Sequence, residues 1–277
     1  MYKNNIIIFF IFVSISSVSW SQNRQANFPQ EELKPVTIPD KDNVWVFMMA
    51  GQSNMAGRGF VEPGDTIPDN RILTINMANE VILAKEPLHF YEPKMTGLDC
   101  GMSFARELLA YIPDSISILM VPTAVGGSSI LKWLSDAPHR GVPLLSNFKE
   151  KVEIAQKYGE IKGVLWHQGE SDIKADRIKK RKEHLDSLFT QFRTMAGNKE
   201  LPIVMGKLGN YSKDPKNWKK MNARIQRYAR KDKYAVAVNS NDLADRGDKL
   251  HFNSEGQREL GKRYANIFLN KFRTHED

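Results

Sequence analysis

VWVFMMAGQSNMAGRG, residues Val44 to Gly59, is the stretch on which the reading of this chain turns. Seven apolar residues, Val44 to Ala50, have the length and β-rich start of a fully buried strand, and the run stops at Gly51. Ser53 follows where a strand gives way to a tight turn, between polar Gln52 and Asn54. Gly51 and Gly57 permit backbone geometry that a Cβ would obstruct. A nucleophile can stand exposed at such a turn, but a serine hydroxyl is inert without a base in hydrogen-bond reach and a carboxylate to orient that base.

Outward from this stretch, strands and helices alternate. A polar segment with three prolines, Gln22 to Asp42, leads in and is expected to carry little structure. Beyond Gly59, a loop with Pro63 and Pro68 is followed by short apolar runs at Arg71 to Asn76 and Val81 to Ala84, read as a small hairpin. Helical spacing marks Gly101 to Ile112, Pro143 to Tyr158, Lys174 to Met195, Pro215 to Arg230 and about Glu255 to Phe272. Ser254 and Gln257 stand in the relation of a capping box. Buried strands are read at Ser115 to Val121, Ile161 to Trp166, Leu201 to Leu208 and Tyr234 to Val238. With the first, that makes five strands in a parallel sheet covered on both faces, a three-layer α/β/α domain over 44–277.

Composition agrees with one globular unit: 277 residues, 41% hydrophobic and 26% charged. Lys3, an apolar stretch from Ile6 to Val13, and Ser19 and Ser21 read as a secretory signal peptide over residues 1–21, placing the mature protein outside the cell or in a periplasm. The apolar part is too short for a span, which needs about 20 residues, and no later segment offers a stable membrane span. Cys100 is the only cysteine, which excludes an intramolecular disulfide and a cysteine metal site. The net charge of +8 is concentrated in Lys174 to Lys182 and Lys213 to Lys233, read as solvated basic helix faces; no nucleic-acid motif accompanies them.

Ligands of open α/β sheets bind outside the carboxyl ends of the strands. Those ends read GQSN (51–54), AVGGSS (124–129), HQGESD (167–172), GNYSKDPKNW (209–218) and a polar segment ending DKLH (248–251). Asp248 and His251, three residues apart in a loop, supply what Ser53 lacks. The aspartate accepts from one imidazole nitrogen and the other faces the serine. Oxyanion donors on the same edge are the Ser53 N–H, the N–H of Gly126 or Gly127, and the Gln168 side-chain amide. The two glycines equally suit a plain turn, and Gln168 a structural role.

GQSNMAGRG, VGGSSI, WHQGESD (166–172) and DKLHFNSEG (248–256) together resemble carbohydrate esterases of the sialate O-acetylesterase type, in the SGNH hydrolase superfamily. The resemblance runs from about Val44 to Phe272. It implies a flavodoxin-like fold with five parallel strands, removal of O-acetyl groups from sugars, and no cofactor or metal. By it Ser53 matches the nucleophile, His251 the base and Asp248 the orienting acid. Cys100 and Lys249 depart from the family pattern.

Gln52, Asn54, Arg58 and Glu170 are candidates for substrate contact or for bracing the site. Glu170 competes with Asp248 for His251, and Arg58 is expected to pair with Glu170 or Asp172. Tyr211 and Trp218 either stack on a sugar or pack the loop. The GxSxG elbow is absent because Met55 occupies its last position, which disfavours a lipase or peptidase. The expectation is a serine esterase acting on an O-acetylated carbohydrate, of the acetylated xylan or sialic acid class, with a glycan-binding module lacking catalysis as the alternative.

Overall fold

The computed structural model describes residues 24–272, so the leader read at 1–21 lies outside them. The strands are β1 (Val44–Gly51), β2 (Ile72–Ile75), β3 (Val81–Leu83), β4 (Ser117–Pro122), β5 (Glu160–His167), β6 (Ile203–Gly206) and β7 (Ala235–Val238). The helices are α1 (Gly101–Leu109), α2 (Ile130–Ser135), α3 (Leu144–Ala155), α4 (Ala175–Lys179), α5 (Arg181–Ala196), α6 (Pro215–Ala229) and α7 (Ser254–Phe272).

All residues of β1 are buried, because the strand has a packed layer on each side. Val44, Val46, Met48 and Ala50 enter the core under α2, α3, α5 and α6, while Trp45, Phe47 and Met49 enter the core under α1 and α7. In the first layer Trp166 packs edge-on to Trp133, Phe189 and Phe192. In the second, Phe47 meets Phe104 at 4.8 Å and Phe268 at 5.0 Å. Burying a side chain of this size contributes about 2–3 kcal/mol.

The sheet has seven strands, not five, in the order β3-β2-β4-β1-β5-β6-β7. The two short apolar runs do pair antiparallel as a hairpin, but β2 also runs parallel to β4 and so extends the sheet. Their sequence explains this: both strands are buried throughout, and an isolated two-stranded hairpin is marginal in water. The five strands foreseen keep a 2-1-3-4-5 order among themselves, with β1 between β4 and β5. The strand order reverses at β1, whose two neighbours both run parallel to it, so its carboxyl end opens onto the crevice where open sheets hold ligands.

Three expectations need correction. The segment before β1 has no long regular element, but it is pinned: Leu83 donates its N–H to Leu33 O at 2.7 Å, Asn27 reaches Val61 O and Arg24 reaches Arg58 O. It thereby covers the open edge of β3, which would otherwise expose unpaired backbone groups. The helix read over Lys174 to Met195 is broken at Lys180 into α4 and α5, and Arg181, in the stretch read as a solvated face, turns inward and is 1% exposed. The capping box does not form. Asn253 Oδ1 accepts from Gly256 N at 2.7 Å instead, as a helix N-cap does, and Ser254 and Gln257 tie α7 to Phe60 O and Asn54 O.

Candidate active site

Ser53 lies two residues past β1, in a turn closed by hydrogen bonds from Met55 and Ala56 N–H to Gln52 O. Gly51 makes this turn possible. Its φ is +138°, and a Cβ there would come within 2.1 Å of His167 O at the end of β5. The same carbonyl accepts the Gln52 N–H at 2.9 Å, so the serine turn is seated directly on the neighbouring strand.

His251 Nε2 is 3.0 Å from Ser53 Oγ, and His251 Nδ1 is 2.8 Å from Asp248 Oδ2. The other Asp248 oxygen accepts the backbone N–H of Leu250 and His251. Partial burial pushes the Asp248 carboxyl up, but the donors from His251 and Leu250 outweigh it and hold the group below its ordinary value. Lys249, between the two, has φ +57°, the left-handed region that favours glycine. That geometry explains why a small residue is expected there.

Asn54 joins the histidine loop to the serine turn. Buried at 1% exposure, it donates to Leu250 O at 3.1 Å and to Glu170 Oε1 at 2.6 Å, and accepts from Phe252 N at 3.1 Å. Glu170 accordingly faces Asn54 and His167, 3.3 Å from His167 Nε2, while Asp248 holds His251. Burial raises the Glu170 carboxyl, yet His167 and Asn54 keep it below its ordinary value.

Two proposed oxyanion donors are otherwise engaged. The Gln168 amide nitrogen faces three acceptors, Asp172 Oδ2 at 2.7 Å, Gln52 Oε1 at 3.2 Å and Ser128 O at 3.3 Å, and its Oε1 accepts from Arg181. With two N–H groups to share, this fully buried amide braces the loops. Gly126 donates its N–H to Glu92, and a Cβ at Gly126 would meet Arg58 Nη2 at 2.1 Å. Gly127 is exposed, at φ +74°, and neither its N–H nor that of Ser53 finds a hydrogen-bond partner among the described residues. Gln52 serves the turn after β5, its Oε1 accepting from Ser171 N at 3.1 Å.

Arg58 pairs with Glu92 at 2.8 Å, not with Glu170 or Asp172, and is 2% exposed, which removes it from substrate contact. Asp172 is held by Ile130 N and Arg177. Cys100 is buried under the serine turn with its Sγ 3.8 Å from Met55 Sδ, so it forms core. Trp218 is buried and Tyr211 packs between Trp218 and Phe252 at 5.8 and 5.7 Å, the loop-packing role of the two weighed.

Residues missed in the sequence are Glu92, Arg181 and Arg246. Arg246 donates to Arg58 O at 2.9 Å, covers the Phe60 ring at 5.3 Å and places Nε 3.5 Å from Asp248 Oδ2. A cation two residues before Asp248 was the available clue for it; Glu92 has no local signature.

Hydroxyl, imidazole and carboxylate in series at the carboxyl edge of an open α/β sheet define the serine-hydrolase type of site. The family described as carbohydrate esterase, sialic acid-specific acetylesterase matches residues 43–270, and the chain belongs to it. It is 30% identical over 266 residues to a probable carbohydrate esterase of Arabidopsis thaliana, covering 88% of this chain and 97% of that protein. An Arabidopsis thaliana crystal structure superposes with a TM-score of 0.74 at 29% identity, over 84% of this chain and all of the other. The fold is also that of NanS (TM-score 0.63, 19% identity, 84% and 98% covered) and of a carbohydrate acetylesterase from Xanthomonas citri (TM-score 0.63, 20% identity, 83% and 56% covered). The chain is thus a carboxylic ester hydrolase of the carbohydrate esterase type.

Proposed function

We propose that this protein is an SGNH-type serine esterase that removes O-acetyl groups from carbohydrates through an acetyl-enzyme. The observation that carries the proposal is the unbroken series from Ser53 Oγ through His251 to Asp248. Ser53 Oγ attacks the acetyl carbonyl while His251 Nε2 takes its proton. The tetrahedral oxyanion collapses, the C–O bond to the sugar breaks, and His251 returns the proton to the departing sugar hydroxyl. Water, deprotonated by the same nitrogen, then releases acetate and restores Ser53. Asp248 stabilises the imidazolium throughout and stays ionised. The Ser53 and Gly127 N–H groups supply the oxyanion donors, since Gly126 and Gln168 are engaged elsewhere.

The substrate belongs to the acetylated xylan or sialic acid class, and the leader read in the sequence at residues 1–21 supports a location in a periplasm or outside the cell. Acetate release from 4-nitrophenyl acetate and from acetylated xylan, compared with Ser53→Ala, tests the reading. Turnover lost by at least about a thousandfold in the variant supports it. A folded protein with no turnover on these or on O-acetylated sialic acid would overturn it in favour of glycan binding.

A further inference from the structure

The first turns of α6 and the loop from β6 enclose a cavity of about 490 Å³ that the ester chemistry leaves without a role. This is within the roughly 300–1,000 Å³ of small-molecule sites. Pro215, Trp218, Lys219, Asn222, Ala223 and Gln226 line it at helical spacing, so one face of α6 forms its wall over three turns. Lys207 and Asn241 approach from the strand ends, and among the described residues no carboxylate borders it. Between Pro215 and Ala229 the helix carries Lys216, Lys219, Lys220, Arg224 and Arg227 without one acidic residue.

One loop links the cavity to the site. Gly209 and Ser212 border it, and Tyr211 between them packs on Phe252 at 5.7 Å, the residue after His251. Trp218 is buried and Asn222 is held by the Leu208 backbone, so the polar lining is Asn210, Gln226 and Asn241 with Lys207 and Lys219. Amides and lysines without competing acids are groups that hold a hydroxyl-rich ring bearing a carboxylate. Of the helix cations only Lys219, with Lys207 from the strand end, lines the concavity, and a nucleic acid is disfavoured there because the one aromatic ring among the described lining residues, Trp218, is buried and offers no stacking platform.

We propose that this cavity is an accessory subsite for a carboxylate-bearing sugar, a uronate unit of the chain whose acetyl group lies at Ser53. The inference rests on the esterase reading for its link to catalysis, but the binding step stands alone. The substrate class becomes an O-acetylated acidic polysaccharide.

Calorimetric titration of the purified protein with acetyl-free oligogalacturonate, with a neutral xylo-oligosaccharide as control, tests it without any turnover. The acidic oligomer should bind about tenfold tighter than the neutral one, and Lys219→Glu should lose most of that preference. Lys220→Glu, a charge reversal on the same helix at a position that does not line the cavity, should keep it. Activity of both variants on 4-nitrophenyl acetate should stay within about twofold of the parent. Equal affinity for the two oligomers overturns the proposal, as does an equal loss in both variants, which would mean diffuse helix charge. Tighter binding of free N-acetylneuraminic acid than of oligogalacturonate overturns the chain subsite. Absence of aryl acetate turnover in the parent would sink the esterase reading and leave the titration to judge the cavity.

Discussion

Asn54→Ala should separate the serine turn from the histidine loop. Asn54 carries two hydrogen bonds to the backbone of that loop, at Leu250 O and Phe252 N, and one to the buried Glu170 carboxylate. At about 1 kcal/mol for each neutral bond and about 2 kcal/mol for the charged one, the loss comes to about 4 kcal/mol. That corresponds to a drop in Tm of roughly 10 °C for a chain of this size. Because Leu250 and Phe252 flank His251, its ring should also drift from Ser53 Oγ, and a displacement of about 1 Å is worth roughly a hundredfold in kcat. Thermal melts and the kcat for 4-nitrophenyl acetate read the two effects. Asn54→Asp keeps the acceptor for Phe252 N but sets a second carboxyl against Glu170. Its pKa in the fold should rise, so the variant should be most stable near about pH 5 and lose stability as pH increases. An Asn54→Ala enzyme within about threefold of the parent kcat would refute the clamp.

Glu86 is fully buried, and burial together with the nearby Asp99 carboxyl pushes its carboxyl well above the ordinary value. Above that ordinary value the unfolded chain releases a proton that the fold retains, so stability falls as pH rises. Glu86→Gln should flatten this fall between about pH 5 and about pH 8 in melting experiments, and identical slopes would exclude the group. Arg246→Gln removes the cation beside Asp248 and leaves the carboxylate with its donors from His251 and Leu250. The acidic limb of kcat/KM should then move up by about half a pH unit, a size set by the partial exposure of the pair; an unmoved limb would limit Arg246 to packing. Lys249→Gly relieves a left-handed backbone worth about 1–2 kcal/mol, offset by glycine's entropy of about 0.5–1 kcal/mol. A small gain in Tm at unchanged activity is expected, and a loss would show that the lysine side chain holds the loop.

The series Ser53, His251, Asp248 was legible because each member follows a strand, and strand ends of a parallel sheet share one edge. Other features depend on partners remote in sequence. Nothing near Gly126 announces that Glu92, 34 residues earlier, takes its N–H, which is why the two glycines read alike. Arg181 reads as surface because its neighbours are basic, and only the break at Lys180 turns it toward Gln168. The hairpin was recognised, but its attachment to β4 is a tertiary choice that two short apolar runs do not encode by period. Asn253, not Ser254, is the helix cap because α7 begins at Ser254 itself, one residue earlier than a Ser254 cap requires.

The contact of Gly51 with His167 bears on any attempt to move this chemistry to another scaffold. The serine turn does not hold its shape alone: it needs the carbonyl of His167 beneath Gln52, and the Gln52 side chain in turn organises the residues after β5. GQSN and HQGESD are therefore two halves of one part, assembled across a strand pair. A graft that carried the nucleophile without the adjacent strand would deliver a serine with neither its seat nor the asparagine link to its base.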